Sequence, residues 1–173
     1  MKSEIPKEVR AVAALLEKAG FEAYLVGGCV RDIILSEVEG MRREPKDWDI
    51  ATNAKPEEVQ KVFSTFAQAT ADKPATVYEN QFGTVGVKTD SEDPKLKVIE
   101  VTTFRKEGKY TDKRHPDEVK FAKTVEEDLS RRDFTINALA LSVAEGMVQE
   151  IIDPYGGQKD LNAKIVRTVG DPN

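Results

Sequence analysis

The spacing of apolar residues predicts helices and strands that alternate over the first third of the chain. Residues 6–19 carry apolar side chains at helical spacing, and Gly20 ends that stripe. Residues 21–26 read as a strand, which Gly27 and Gly28 separate from an amphipathic helix. The apolar residues of the first helix are Val9, Val12, Ala13, Leu15 and Leu16.

The rest of the pattern predicts one further helix and a series of short strands. Residues 56–63 are predicted as a helix with Glu57 and Glu58 in its first turn, where the helix dipole favours negative charge. Strands are predicted at residues 47–51, 66–69, 76–78, 84–88 and 97–104. Short spacings between the later strands favour antiparallel hairpins over repeated βαβ units. The expected fold class is α/β (α+β), with a mixed, largely antiparallel sheet flanked by helices.

Composition narrows the class of protein. With 173 residues and 39% apolar content, we expect a single domain with a true core over residues 1–173. Cys29 is the one cysteine, which excludes an internal disulfide, and one cysteine with one histidine gives no support to thiol, imidazole or zinc chemistry. The N-terminus lacks a signal-peptide pattern, and no apolar run approaches the roughly 20 residues that span a bilayer. We therefore expect a cytoplasmic protein with no membrane contact.

Asp47 and Asp49 are the first candidates for chemistry. Because successive side chains of a strand point to opposite faces, both carboxylates should project from one side, while Trp48 and Ile50 face the core. Their bases would be about 6 to 7 Å apart, close enough to share divalent ions. Such a pair suits Mg²⁺, which takes one or two protein carboxylates together with waters and substrate phosphate oxygens. The same pattern is also typical of a solvated strand edge.

The glycine pair at Gly27 and Gly28 is the candidate for phosphate binding. Glycines let the backbone approach an anion, and the unpaired amides of a first helical turn favour negative charge. Arg31 would lie in that turn and add a fork of donors. The segment matches neither a Walker A loop nor a dinucleotide fingerprint. A simple turn, with Arg31 paired to Asp32 or another acid, is the alternative.

A third segment, residues 126–140, places charged groups among apolar ones. Arg131, Arg132, Asp133 and Asn137 lie close to Phe134 and a run of small apolar residues. Because buried charge must be paired or bound to a ligand, this segment is either an internal ion-pair node or a nucleotide contact.

Together these segments resemble the tRNA nucleotidyltransferase and bacterial poly(A) polymerase family, within the polymerase-β-like nucleotidyltransferases. The motifs are Leu-Val-Gly-Gly-Cys-Val-Arg-Asp at residues 25–32, Asp-Trp-Asp-Ile-Ala-Thr-Asn-Ala at 47–54 and Arg-Arg-Asp-Phe-Thr-Ile-Asn-Ala-Leu-Ala at 131–140. The similarity continues through Ile-Asp-Pro-Tyr-Gly-Gly-Gln-Lys-Asp-Leu at 152–161 and Arg-Thr-Val-Gly-Asp-Pro at 167–172. The resemblance covers nearly the whole chain from about residue 20 onward, and it implies a nucleotidyltransferase head.

The resemblance implies a role for each candidate residue. Asp47 and Asp49 would hold Mg²⁺, the glycine pair Gly27 and Gly28 with Arg31 would contact the incoming triphosphate, and Arg132 and Asp133 would contact the nucleotide, including its ribose.

Two residues in or next to the strand at 97–104 complete the candidate set. Glu100 alternates with apolar neighbours and looks like the third catalytic acid, on an adjacent strand, where it would help the RNA 3′-hydroxyl to lose its proton. An edge-strand acid that keeps the protein soluble fits the same position. Arg105 would neighbour the phosphates or lie on the surface.

The implied reaction is an in-line attack of an RNA 3′-hydroxyl on the α-phosphorus of CTP or ATP, with release of pyrophosphate. The implied acceptor is the 3′ end of tRNA. A formal net charge of −5 is poor for a domain that must grip RNA phosphates unaided, so a partner chain or a C-terminal region is expected to supply that grip.

Three places depart from the family pattern or add to it. Between Asp32 and Asp47 the linker is longer than the compact family form, with Ser36 where a glycine often ends the helix, so the helix is expected to run on for an extra turn.

Residues 105–117 have mixed charge and little to bury, which predicts a mobile active-site loop or a solvated connector. In that loop Lys109 and Arg114 could move toward substrate, and His115 is expected to be exposed. Members of the family continue into neck, body and tail domains, which we expect to be absent from residues 1–173. We therefore expect weak and poorly selective triphosphate binding by the head alone.

Three functions remain open from sequence. The leading hypothesis is CCA addition or repair at the tRNA 3′ end, which includes partial addition of C or A. Bacterial poly(A) polymerase shares the chemistry but takes another primer and ATP alone. A catalytically silent nucleotide-binding module is the third alternative, against which the intact aspartates and the intact Arg132 and Asp133 argue.

Overall fold

The computed structural model describes residues 5–40, 43–70, 76–79, 82–106, 120–144 and 147–170. Its helices are α1 Lys7–Lys18, α2 Gly28–Glu39, α3 Pro56–Thr70, α4 Val125–Leu129 and α5 Gly157–Ala163, with a 3₁₀ turn at Thr135–Asn137. The strands are β1 Ala23–Val26, β2 Asp49–Thr52, β3 Thr76–Glu79, β4 Thr84–Lys88, β5 Val98–Thr103, β6 Arg105–Lys106, β7 Lys120–Phe121, β8 Ala140–Ala144 and β9 Met147–Ile152.

Seven strands form one sheet in the order β3-β4-β5-β2-β1-β8-β9, and β6 pairs with β7 in a separate ribbon. Within the large sheet β2 and β5 are parallel, and every other neighbouring pair is antiparallel. The predicted fold class, a mixed and largely antiparallel sheet flanked by helices, is therefore confirmed.

The two faces of the sheet are covered unequally. Helices α1, α2 and α3 pack on one face and form the larger hydrophobic cluster, which includes Val9, Leu16, Ile33, Phe63, Leu25, Ile50, Val85 and Val101. The other face carries a smaller cluster under α4, which includes Val26, Ala51, Phe104, Val125 and Leu129. Because small residues such as Ala51 line this second face, it leaves space for a cleft between the sheet and α4.

Most predicted elements lie within a few residues of their predicted bounds, and one prediction is wrong. Residues 66–69 are not a strand, because α3 continues without a break to Thr70. The apolar spacing from Val59 through Val62 and Phe63 to Phe66 keeps the helical period, and no glycine or proline interrupts it. That continuous period is the physical reason for the longer helix.

The extra turn of α2 is confirmed. The helix ends at Glu39, followed by Gly40 in the left-handed conformation with φ of 65°. Ser36 lies inside the helix, where its Oγ donates to the carbonyl of Asp32 at 2.8 Å and accepts from the amide of Arg43 at 2.9 Å. The serine thus ties the returning chain to the helix instead of ending it.

The predicted loop at 105–117 is wrong for its first two residues. Its first two residues, Arg105 and Lys106, are the strand β6 and pair with Phe121 and Lys120. The remainder, with Lys109, Arg114 and His115, lies outside the described residues. None of the helices in the described ranges is both long enough and apolar enough to cross a lipid bilayer.

Candidate active site

Two carboxylates face each other across neighbouring parallel strands. Asp49 is the first residue of β2, and Glu100 is its register partner on β5. Glu100 is flanked by the fully buried Ile99 and Val101, so strand alternation turns it to the face opposite the larger core. The family resemblance implies an acid on an adjacent strand, and the structure adds the parallel direction and the register of the pair.

Asp47 lies differently from the prediction. It precedes β2 instead of belonging to it, and its side chain is exposed, whereas Trp48 and Ile50 are buried as expected. Among the residues that the structure describes, no three His, Cys, Asp or Glu side chains gather into a ready-made metal site. The acidic centre is thus built on the Asp49 and Glu100 pair, with Asp47 at its margin.

Asp49 is a largely buried acid that lies near two other carboxylates and one guanidinium group. Burial raises the pKa of Asp49, and the neighbouring carboxylates of Glu100 and Asp47 raise it further, while the guanidinium of Arg132 opposes them. The ionised form of Asp49 is therefore less stable here than in water. A cation bound beside it would stabilise that ionised form.

The glycine corner adjoins this acidic cluster. Gly27 has φ of 75°, and a Cβ built on it would lie 2.8 Å from Nη1 of Arg132 and 4.0 Å from Oδ2 of Asp49. A side chain at Gly27 would therefore collide with the arginine as well as strain the backbone. Gly28 begins α2 directly after this corner. The structure thus brings Gly27, Asp49 and Arg132 together.

Arg31 is held by two partners. Its Nε and Nη2 donate to Oδ1 of Asp32, both at 2.9 Å, and its Nη1 donates to Oδ1 of Asn137 at 2.9 Å. The pairing with Asp32 is the alternative that the sequence left open. Each terminal nitrogen of Arg31 carries a second hydrogen, so the guanidinium keeps donors beyond these contacts.

Asp128 anchors the two arginines of the third segment, and sequence reasoning gave it no role. The carboxylate is 1% exposed and accepts from Nε and Nη2 of Arg131 at 3.1 and 2.9 Å and from Nη2 of Arg132 at 3.3 Å. It also accepts from the backbone amide of Arg105 at 3.0 Å. The signal that could have found it is an acid three and four residues before two arginines, in a short helix bounded by the apolar Val125 and Leu129.

Asp133 lies beyond this node, and the C-terminal segment fixes its backbone. Its side chain is exposed, while its carbonyl accepts from the amide of Val169 at 3.1 Å. Next to it, Thr135 donates through Oγ1 to the buried Asp160 at 2.6 Å, and Asp160 also binds Nη2 of Arg167 at 2.7 Å. Asp160 and residues 167–169 therefore brace the turn that carries Asn137.

These elements enclose a cleft of about 350 Å³ on the thinly covered face of the sheet. Acids on the strands face guanidinium groups across it, and its charged lining is Asp49, Glu100, Arg105, Arg131, Arg132 and Asp133, together with the node acid Asp128. Asp47, Gly27, Gly28 and Arg31 are not part of that lining. Arg105 therefore faces the cleft and is not a plain surface residue.

Comparison with known proteins gives a consistent set of similarities. The profile of the Poly A polymerase head domain matches residues 23–167. The CCA-adding enzyme of Bacillus subtilis is 43% identical over 161 residues, which are 93% of this chain and 34% of that protein. The CCA-adding enzyme of Lactobacillus delbrueckii is 42% identical over 168 residues, which are 97% of this chain and 36% of that protein.

Solved structures show the same similarity. The CCA-adding enzyme of Bacillus stearothermophilus in complex with CTP matches with a TM-score of 0.71 and 36% identity, over 95% of this chain and 33% of that one. A tRNA nucleotidyltransferase complexed with a primer tRNA and an incoming ATP analog matches with a TM-score of 0.63 and 31% identity, over 91% of this chain and 38% of that one. The chain thus spans about one third of the length of the curated relatives it matches.

Proposed function

Because the chain belongs to the Poly A polymerase head domain family, we propose that it is the catalytic head of an RNA nucleotidyltransferase that adds CMP and AMP to the 3′ end of tRNA. The observation that carries this proposal is the register pairing of Asp49 with Glu100 beside the corner formed by Gly27 and Arg132. An acidic pair next to a glycine-lined helix start suits a triphosphate and its counter-ion.

A divalent cation is part of the proposal, and the donor set fits Mg²⁺. The ligands would be carboxylate oxygens of Asp49 and Asp47, which are hard donors of the kind that Mg²⁺ prefers. The raised pKa of Asp49 supports this fit, because a buried acid near two other acids gains stability from a bound cation. When bound, the ion would neutralise charge on the phosphates and favour ionisation of the attacking hydroxyl.

The triphosphate would lie at the glycine corner. The backbone at Gly27 and Gly28 opens onto the start of α2, and Arg31 and Arg132 supply guanidinium groups on either side of it. Asp133 and Arg132, which both line the cleft, would contact the nucleotide, including its ribose. These contacts stabilise negative charge without any covalent intermediate on the protein.

Glu100 would contact the acceptor RNA, which supplies the attacking hydroxyl. The 3′-oxygen of the RNA attacks the α-phosphorus, the bond to the β-phosphate oxygen breaks, and pyrophosphate leaves in line. Glu100 would hold the acceptor hydroxyl and take up its proton, because its carboxylate lies in the cleft beside Asp49.

The names of the relatives favour CCA addition as the specific reaction, and the name of the matching family keeps poly(A) addition as the second candidate. Both share the chemistry above, and they differ in the nucleotides and the RNA that they use. A partner chain or a further region is proposed to grip the tRNA, since the net charge of this chain is −5.

The test is primer extension with radiolabelled CTP and ATP on tRNA transcripts that lack CCA. The full-length protein, or this head together with the partner that grips tRNA, should incorporate C and then A. Asp49→Ala should reduce incorporation to background while its circular dichroism spectrum stays unchanged. Asp90→Ala, in an exposed turn between β4 and β5, is the matched control and should keep wild-type activity. Full activity in Asp49→Ala would refute the site assignment, and addition of A to any RNA with C ignored would favour polyadenylation.

A further inference from the structure

Two threonine hydroxyls meet on the floor of the cleft. Thr84 on β4 and Thr102 on β5 are register partners, and their Oγ1 atoms are 3.0 Å apart. Both line the cleft, and Thr102 lies two residues beyond Glu100 on the same face of β5, roughly 6 to 7 Å along the strand. The hydroxyl pair therefore adjoins the acidic pair.

The hydroxyl pair contributes little to the stability of the sheet. On the opposite face the same two strands carry Val85 and Val101, which are fully buried, and a cross-strand threonine pair stabilises a sheet by only about 0.2 to 1 kcal/mol. The adjacent Thr103 does have a structural partner, since its Oγ1 donates to the carbonyl of Ala54 at 2.7 Å. The hydroxyl of Thr102, by contrast, pairs with that of Thr84 at the surface of the cleft.

The strand order places the hydroxyl pair on the acceptor side of the reaction. Across the sheet, the glycine corner follows β1, Asp49 lies on β2, Glu100 on β5, and Thr84 on β4. In an in-line displacement the leaving pyrophosphate and the attacking oxygen lie on opposite sides of the phosphorus. If the triphosphate lies at the glycine corner, the attacking nucleotide lies over β5 and β4.

We propose that Thr102 and Thr84 form a subsite for the terminal ribose of the acceptor RNA, with Thr102 hydrogen-bonded to the 2′-hydroxyl so that the 3′-hydroxyl faces Glu100. This inference rests on the proposed function and deepens it. The 2′,3′-diol of the terminal ribose can both donate and accept hydrogen bonds, and so can a pair of threonine hydroxyls. The 2′-hydroxyl is the group that distinguishes RNA from DNA at such a site.

The test is a double-mutant cycle that combines one substitution in the protein with one change in the RNA acceptor. Wild type and Thr102→Val are assayed with acceptors that end in ribose or in 2′-deoxyribose, each with an intact 3′-hydroxyl. Loss of either hydroxyl should lower kcat/KM for the acceptor about tenfold, and loss of both should cost little more than loss of one. KM for CTP should not change. Effects that multiply to about a hundredfold would overturn the proposal, because a merely structural threonine would weaken both acceptors equally.

Thr103→Val is the matched control, since it removes a neighbouring hydroxyl that faces away from the cleft. It should lower thermal stability and leave the ratio between the ribose and deoxyribose acceptors as in wild type. A changed ratio in Thr103→Val would count against a specific role of Thr102.

A binding measurement separates failure of this inference from failure of the proposed function. If wild-type protein transfers no nucleotide, the proposed function is wrong. The subsite is then tested separately, by titrating ¹⁵N-labelled protein with one of two oligonucleotides of three cytidines, whose 3′-terminal sugar is either ribose or 2′-deoxyribose. The backbone amides of Thr84 and Thr102 should shift more with the ribose end. Equal shifts with both ends would refute the subsite whatever the activity.

Discussion

Replacing Asp128 by alanine removes the carboxylate that holds Arg131 and Arg132 over the cleft. The side chain is 1% exposed and accepts three hydrogen bonds from the two guanidinium groups and one from the amide of Arg105. The variant leaves these donors without their acceptor and adds a cavity beside the fully buried Leu129. Both effects destabilise the folded state.

The expected cost follows from the exposure of the partners. Removing one member of a buried ion pair typically costs about 3 to 5 kcal/mol. The side chains of Arg131 and Arg132 are 22% and 19% exposed, so water solvates part of each guanidinium in the variant. We therefore expect the lower end, about 3 kcal/mol, which for a chain of this length lowers Tm by roughly 9 °C.

Urea unfolding followed by the fluorescence of Trp48 measures this loss. Trp48 is the one tryptophan and is 7% exposed, so unfolding changes its environment. The matched control is Glu39→Ala, which breaks a partly exposed pair with Arg43 at 2.7 Å and should cost no more than about 0.5 kcal/mol. A loss below about 1 kcal/mol in Asp128→Ala would show that the node is not an anchor.

Three further changes test other parts of the structure. In Gly157→Ala the Cβ would lie only 2.3 Å from the backbone oxygen of Thr135, so the urea assay should show a loss of about 2 kcal/mol or more, and wild-type stability would contradict the packing of α5. Gly27→Ala places a Cβ 2.8 Å from Nη1 of Arg132 at a φ of 75°, so calorimetric titration should show weaker binding of CTP, and unchanged affinity would argue against the glycine corner. Burial raises the pKa of the Cys29 thiol from its ordinary value of 9.0 to about 11. Between these two pH values the unfolded chain loses the thiol proton and the folded state keeps it, so the free energy of unfolding should fall as pH rises from about 9 to 11. Cys29→Ala should reduce that fall, and an equally steep pH profile would contradict it.

Local sequence was sufficient for the elements whose signals are local. The helical stripe ended by Gly20 predicted α1, and the apolar run at 84–88 predicted β4 with its observed bounds. The strand at 66–69 was predicted wrongly because a short apolar run fits both the period of a strand and the period of a helix. Only the flanking residues distinguish the two. The helix signal that began at Pro56 was long enough to override it.

Residue type and motif identified the candidate residues. They did not give the contacts that these residues make in the folded protein. Asp49 and Glu100 are neighbours because β2 and β5 pair in parallel, and Arg31 contacts Asn137 across a separation of 106 residues. Asp128 went unnoticed because an acid in a short helix looks solvated until burial is known. Sequence by itself determined the elements and the chemical groups, since periodicity and turn chemistry depend on adjacent residues. Only the tertiary structure decided which acids share a face and which arginines they hold, because strand register and burial are set by packing over the whole chain.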